Sequence, residues 1–317
     1  MTILRRLRGR LIDLLVVITG VSILVFAFIR MIPGDAVAIM LGANAEVTED
    51  RIEALRIRLG LDLPIHEQYW NWLTGVLQGD FGVSIWTGRP VIEEIAGHVW
   101  PTLQLTFLAL LTAIVLAIPL GILMARIRGR RGEAFVQAGS VIGLTVPPFW
   151  LGILMILVLS TLAPSLQLLG YVPFGEDPLG NLQRLFLPAF ALSLPILANL
   201  ARLLRSTLLE AMQQDYIRTA RAKGLPTRRI FYKHALRNAI IPFVTSVGIM
   251  AGYLLGGAIV VEQVFAIPGL GRLILGAISE RNYPLLQASI LLVTCTFVLV
   301  NFTVDVIYTL IDPRISE

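Results

Sequence analysis

Long apolar runs separated by polar segments dominate the chain. Six of them stand out: Leu11–Ile29, Pro101–Ala125, Ala134–Thr161, Leu185–Leu204, Ala239–Val261 and Pro284–Leu310. A helix needs about 20 apolar residues to cross the hydrocarbon core of a bilayer. In lipid every backbone N–H and C=O must be paired within the segment, so runs of this length predict spanning helices rather than barrel strands. The first run follows four arginines, Arg5, Arg6, Arg8 and Arg10. It exceeds the roughly 7–15 apolar residues of a signal peptide. "RMIPGD" follows it where a small-residue cleavage site would stand. The first helix therefore reads as retained, and the pattern predicts an all-α polytopic membrane protein with six transmembrane helices.

Punctuation within the runs adds detail. Gly139, Gly143, Pro147 and Pro148 interrupt the third; two successive prolines remove two amide donors and bend a helix. Pro188 and Pro195 lie in the fourth. In the fifth, Gly248, Gly252 and Gly256 recur every four residues. They form a smooth face for close approach of another helix, from this chain or from a partner subunit. Between the first two runs, residues 31–100 are too long for a turn. Thr48 can cap a helix that carries Glu49 and Asp50 in its first turn and Ile52, Leu55 and Leu59 on one face, and Gly60 ends it. Pro64 opens a second helix with Tyr69, Trp70, Trp72, Leu73 and Leu77. Such aromatics favour the membrane–water boundary, so both helices are expected to lie flat on the outer face. The chain divides accordingly into residues 1–30 (N-terminus and first span), 31–100 (extracytoplasmic helical segment) and 101–317 (a five-helix core). A loop at 206–238 interrupts that core.

Charge orients the chain. Only 15% of the residues are charged and 56% are hydrophobic, with a mean hydropathy of +0.77; soluble domains carry about 25% charged residues. The pI of 9.7 invites a nucleic-acid reading, but arginines and lysines that hold loops in the cytoplasm raise the pI equally well. With the N-terminus inside, the cytoplasmic segments hold 18 of the 26 Lys and Arg residues. Both termini are then cytoplasmic, and lipid rather than nucleic acid is the surface met.

Candidate chemistry is sparse. His66, His98 and His234 are scattered, with no metal-ligand spacing. Glu93 and Glu94 are adjacent, so on a helix they face different sides and read as solvated. No Walker-type phosphate loop is present, so any ATP must be bound by another chain. The lone Cys295, inside an apolar run, reads as a small buried hydrophobe. Asp13, Asn301 and Asp305 sit near the ends of runs, where anchoring or pairing with an arginine explains them. A proton-coupled secondary transporter would need ionisable groups at mid-membrane, so the pattern argues against one.

One segment stands apart. "DYIRTARAKGLPTRRIFYKHALRN", Asp215 to Asn238, carries seven Lys/Arg and one acid between apolar runs. "YIRTARAKG" is helical in composition and ends at Gly224, with Pro226 two residues on; "TRRIFYKHALRN" starts a second helix leading into the fifth run. Two helices meeting at a sharp cytoplasmic corner are predicted. Such a corner can enter a groove on another protein, whereas setting topology against anionic lipid needs only a few charges.

Here the chain resembles the inner-membrane permeases of ATP-binding-cassette (ABC) importers. Their cytoplasmic signature is E-A-A, three residues, Gly, nine residues, then I-x-L-P. It aligns with Arg218-Thr219-Ala220, Gly224 and His234-Ala235-Leu236-Arg237. Ala220, Gly224 and Leu236 match, whereas the Glu, the Ile and the final Pro do not. "DYIRTARAKG", "HALRNAIIP", "FIRMIPGD", "GDFGVS", "RPV" with "PTLQLT", "VVEQVFAIPGLGRLILGAISERNYPLLQ" and "DVIYTLIDPRI" look like the dipeptide/oligopeptide/nickel branch, in order and nearly from end to end. Ala36 departs from the branch, which has Pro after "PGD".

The resemblance implies a type I importer fold and a bacterial or archaeal inner membrane. It implies that this chain is no enzyme and holds no cofactor, ATP and Mg residing on partner ATPase subunits. The partners it implies are a second permease, two ATPases and an extracytoplasmic solute-binding protein; the segment Val260–Tyr283 would face that protein or the outer gate. The corner would be the coupling helix. Arg218, Thr219, Ala220 and Gly224 take the coupling positions, and Arg221 and Lys223 are charged contacts. Dipeptides or oligopeptides are the cargo it implies first. Glutathione, nickel chelates, small sugars and opines are alternatives.

Overall fold

The computed structural model describes residues 2–31, 53, 57, 62–129 and 132–311. The helix expected after Thr48 lies outside the described residues. Among those described there is no β-strand, and a single bridge pairs Val83 with Pro90. Helices carry the architecture: α1 (Thr2–Met31), α2 (Ile65–Leu77), α3 (Val91–Arg126), α4 (Glu133–Thr145), α5 (Pro148–Leu162), α6 (Pro178–Ala211) and α7 (Asp215–Ala222). A helical turn (Thr227–Arg229) and a π-helical stretch (Ile230–Ala235) run into α8 (Leu236–Val264). α9 (Leu270–Ser279) and α10 (Tyr283–Ile311) complete the described residues. Four helices are long and apolar enough to cross a membrane, with windows in Val91–Arg126, Pro178–Ala211, Thr227–Leu254 and Tyr283–Thr303. The α4–α5 pair makes a fifth if both halves count as one span; the apolar part of α1, Ile12–Phe28, is shorter.

The third run departs most from expectation. A single bent span over Ala134–Thr161 becomes two short helices crossing at 103°. The local cause is visible in the backbone. Val146 (φ −75°, ψ 122°) and Pro147 (φ −63°, ψ 134°) are extended. Each precedes a proline, a position sterically driven out of the helical region. Pro148 then occupies the first turn of α5, where a missing N–H costs nothing. In α6, Pro188 and Pro195 stay inside a continuous 34-residue helix. Asp177 caps that helix, its side chain accepting from the Gly180 N–H at 3.0 Å.

The chain forms two compact units. One comprises Met1–Trp100 and Gly269–Leu299. There Phe26 of α1 meets Tyr69 and Trp72 of α2 with ring centroids 5.3 and 5.8 Å apart. Ser22 hydrogen-bonds the Tyr69 hydroxyl at 2.8 Å, and Arg30 lies over Phe26 while donating to Gln68. The aromatic helix opened by Pro64 is thus present, and α1 is what its aromatics pack against. In "GDFGVS", Gly79 and Gly82 adopt φ +85° and +82°, values that admit glycine at little cost. Asn282 clamps the loop beyond: its Nδ2 donates to Ser84 Oγ at 2.8 Å and its Oδ1 accepts from the Ile85 N–H. Val91, Ile95, Leu270, Ile274 and Leu285 form this unit's buried cluster. Glu93 is exposed, whereas Glu94 is half-buried and accepts from Thr87. Cys295 is half-buried rather than buried.

The other unit comprises Pro101–Pro268 and Val300–Glu317. Its core surrounds α6, which buries Leu185, Leu192, Leu200, Leu204 and Leu208 among others. Close approach depends on glycine. A Cβ on Gly121 would stand 2.9 Å from both the Ala201 carbonyl oxygen and Leu204 Cβ, and one on Gly152 would stand 2.7 Å from the Phe265 ring. Glu262, the lone acid of α8, is fully buried and accepts from Thr102 Oγ1 at 2.6 Å.

Candidate functional site

The basic segment folds as a corner between α6 and α8. α7 has two residues on its inner face, Ile217 (0% exposed) and Ala220 (7%). They are three apart, hence one above the other on a helix. They join Leu208, Ala211, Ile230, Phe231 and Ala235 in the core of the unit. Burying Ile217 completely is worth about 1.5–3 kcal/mol, enough to hold an eight-residue helix that would be marginal alone. The opposite face is polar: Arg218, Thr219, Arg221, Lys223 and Gly224 are all exposed.

The corner itself is a helix C-cap. Gly224 has φ +73°. Its N–H donates to the Arg221 carbonyl at 2.9 Å, and the Leu225 N–H donates to the Ala220 carbonyl at 3.3 Å. This pair of bonds is the Schellman arrangement, in which a left-handed residue satisfies the last free carbonyls. Leu225 packs against the core, the apolar contact that accompanies the motif. Nothing lies within 4 Å of the point where a Gly224 Cβ would stand. Glycine is thus required for its dihedral angle, not for space. Pro226 (φ −65°, ψ 139°) then caps the next turn, its carbonyl accepting from the Arg229 and Ile230 N–H groups at 2.9 and 3.1 Å.

Of the six coupling residues named from sequence, the structure therefore puts five on one exposed surface and turns Ala220 inward. Arg218 pairs with Asp215 at 3.2 Å. Both side chains are solvated, so the pair contributes little stability and stays available. Thr219 Oγ1 donates back to the Asp215 carbonyl at 3.0 Å. The glycine face of α8 divides too: Gly248 and Gly252 are buried within this chain, whereas Gly256 is exposed with nothing within 4 Å of its Cβ position.

The π-helical stretch and its clamp have no counterpart in the sequence reading. Arg126, at the end of α3, sets its guanidinium 5.1 Å from the ring centroids of both Phe231 and Tyr232, a cation–π contact. Short π segments within α-helices concentrate at functional sites.

Comparison with known proteins fits this geometry. The profile of the family described as the binding-protein-dependent transport system inner membrane component matches residues 117–317. The profile of its N-terminal part matches residues 2–106. This chain belongs to that family of inner-membrane permeases. It is 41% identical over 307 residues to the glutathione transport system permease protein GsiC of Escherichia coli K12, covering 96% of this chain and 97% of the relative. With the protein of the same description from Salmonella typhimurium the identity is 41% over 314 residues, covering 99% and 98%. Among solved structures, a chain of the methionine ABC transporter MetNI in an inward-facing conformation superposes with a TM-score of 0.57 at 22% identity, covering 70% of this chain and 97% of that one. At that identity the likeness shows the fold, that of a type I importer permease. The permease is a multi-pass inner-membrane protein of the ABC importer class, and its relatives are transport subunits rather than enzymes.

Proposed function

We propose that this permease forms half of the conduit of an ATP-driven importer for short peptides, and that glutathione, a tripeptide, is the first cargo to test. The observation that carries this reading is the 41% identity to glutathione permeases over nearly the whole of both chains. The chain crosses the membrane six times with both termini in the cytoplasm, α1 and the α4–α5 pair each counting as one crossing. A second permease supplies the other half of the path, and the exposed Gly256 lies on the face that meets it. Two ATPases bind and hydrolyse ATP, and an extracytoplasmic binding protein delivers cargo.

The α7 corner enters a cleft of one ATPase. Its exposed face, with Arg218, Thr219, Arg221 and Lys223, makes the contact, while Ile217 and Ala220 fix it to the core so that ATPase closure reaches α6 and α8. Closure of the ATPases moves the corner, and the path between the permeases alternates between outward and inward access. The test is reconstitution of the two permeases and ATPases in proteoliposomes with the binding protein. ATP-dependent uptake of labelled glutathione, competed by unlabelled short peptides, is the expected result. Uptake without ATP, or ATP-driven uptake of neither glutathione nor dipeptides, refutes the proposal.

A further inference from the structure

A half-open cavity of about 510 Å³ lies between α4, the C-terminal half of α6 and Met124 near the end of α3, within the unit Pro101–Pro268 and Val300–Glu317. Its volume falls in the range of about 300–1,000 Å³ typical of sites for small organic ligands. Two helical faces build it. Asn199, Arg202 and Ser206 of α6 stand at positions i, i+3 and i+7, and Gln137, Ser140 and Leu144 of α4 repeat the same spacing. Such positions share one helix face.

The charge in this cavity is unbalanced. Arg202 and Arg205 line it, and no acid does. Arg205 is partly neutralised from outside, since its Nη2 donates to Glu133 Oε1. Arg202 is exposed and has no such acidic partner among the described residues. The Arg205 Nε–H is buried and finds no acceptor, a state that costs about 1–3 kcal/mol when left unsatisfied. Both observations ask for an anion.

The remaining lining says which anion. A phosphate offers acceptors only, and a wall of donors would suffice for it. Here Gln137 and Asn199 present carboxamides, each able to accept as well as donate. The Gln137 Nε2 donates one of its two N–H groups to Glu133 at 3.0 Å, and its other N–H and its carbonyl oxygen can still donate and accept. Paired donors and acceptors suit a backbone that carries one N–H and one C=O per residue. Met124, Val141, Leu144 and Leu203 add an apolar wall.

We propose that this cavity is a cargo site of the permease itself, in which Arg202 and Arg205 take the C-terminal carboxylate of a short peptide while Gln137 and Asn199 bond its amides. The inference rests on the proposed peptide cargo. It assigns residues of this chain a share in selectivity that does not depend on the binding protein.

The test uses the assembled permease–ATPase complex in phosphatidylcholine nanodiscs, without binding protein. Glutathione and its C-terminal amide are titrated against it by calorimetry. The complex is expected to bind the acid about tenfold more tightly than the amide. Arg202→Gln is expected to erase that preference while leaving amide binding unchanged, and Asn199→Asp is expected to weaken the acid selectively. Arg205 is left intact, because its pairing with Glu133 makes its loss a folding risk. Equal binding of acid and amide by the unaltered complex overturns the site. So does a preference that survives Arg202→Gln. Binding of added phosphatidylglycerol, with no peptide binding to the unaltered complex, assigns the cavity to a lipid headgroup and overturns it as well. The two readings fail separately: transport of glutathione by the proteoliposomes with a null titration spares the cargo and sinks the site, whereas absent transport sinks both.

Discussion

Gly224 offers the sharpest test of the corner, because the structure separates its two possible roles. Nothing within 4 Å would collide with a side chain there, so a substitution is penalised only through φ +73°. Holding an ordinary L-residue in the left-handed region costs roughly 1–2 kcal/mol, and a β-branched residue fares worse. One to two kcal/mol shifts the balance between formed and melted corner about 5- to 30-fold. Gly224→Val should therefore open the turn, releasing the Leu225 to Ala220 bond and the direction of Pro226. The core-facing Ile217 and Ala220 should keep the chain folded and the complex assembled. Gly224→Asn is the discriminating control, since Asn tolerates the left-handed region yet adds a side chain as large as many others. Transport and ATPase activity would be measured side by side in proteoliposomes. The expected order for uptake per ATP hydrolysed is Gly, then Asn close behind, then Ala, with Val lowest. If Asn is as damaging as Val, contact area rather than backbone shape explains the glycine, and the argument from φ is refuted. Wild-type transport by Gly224→Val refutes it more simply.

Other substitutions probe the scaffold behind the corner. Thr102→Val removes the donor 2.6 Å from buried Glu262; the loss should cost about 1–3 kcal/mol and lower the melting temperature of the purified complex, while Thr102→Ser should not. Gly121→Ala forces a methyl to 2.9 Å from a backbone oxygen and should destabilise by about 1–3 kcal/mol through overpacking, read as lower melting and yield. A Cβ on Gly256 meets nothing within 4 Å among the described residues, so Gly256→Ala should leave melting unchanged while reducing copurification of the second permease; unimpaired copurification removes Gly256 from that interface. Arg126→Ala deletes the guanidinium over Phe231 and Tyr232, worth about 0.5–1 kcal/mol at an exposed site. It should speed amide exchange within Ile230–Ala235 but not within α7.

What could be read in advance was what short-range physics decides. Gly224 followed by Pro226 specifies a corner because both act through their own dihedral angles, and the corner is where they put it. Pro64 opened α2 for the same reason. The Pro147-Pro148 pair was also legible as a disturbance, but its size was not. Whether two prolines kink one span or split it at 103° depends on what α4 and α5 pack against, and that is tertiary. Ala220 shows the same limit at a single residue. The signature alignment groups it with its exposed neighbours, yet at three residues from Ile217 it shares the buried face, and only a decision about which face turns inward separates them. The spacing held that information, since "YIRTARA" has one large aliphatic residue and one alanine on a common stripe.

Glu262 and the α4–α6 cavity were missed differently. A single acid in an apolar helix signals burial, but its partner Thr102 lies 160 residues away. Arg202 and Arg205 stand at the end of the fourth apolar run, where an arginine is explained by the exit from lipid alone. The spacing of Arg202 from Asn199 and Ser206 on one face, matched by Gln137 and Ser140 on another run, was the available sign that polarity there is organised. A residue that merely marks the membrane boundary has no need of register with polar groups on a second helix. The register is what separates a site from a snorkelling charge, and it is why Arg202→Gln should change selectivity rather than topology.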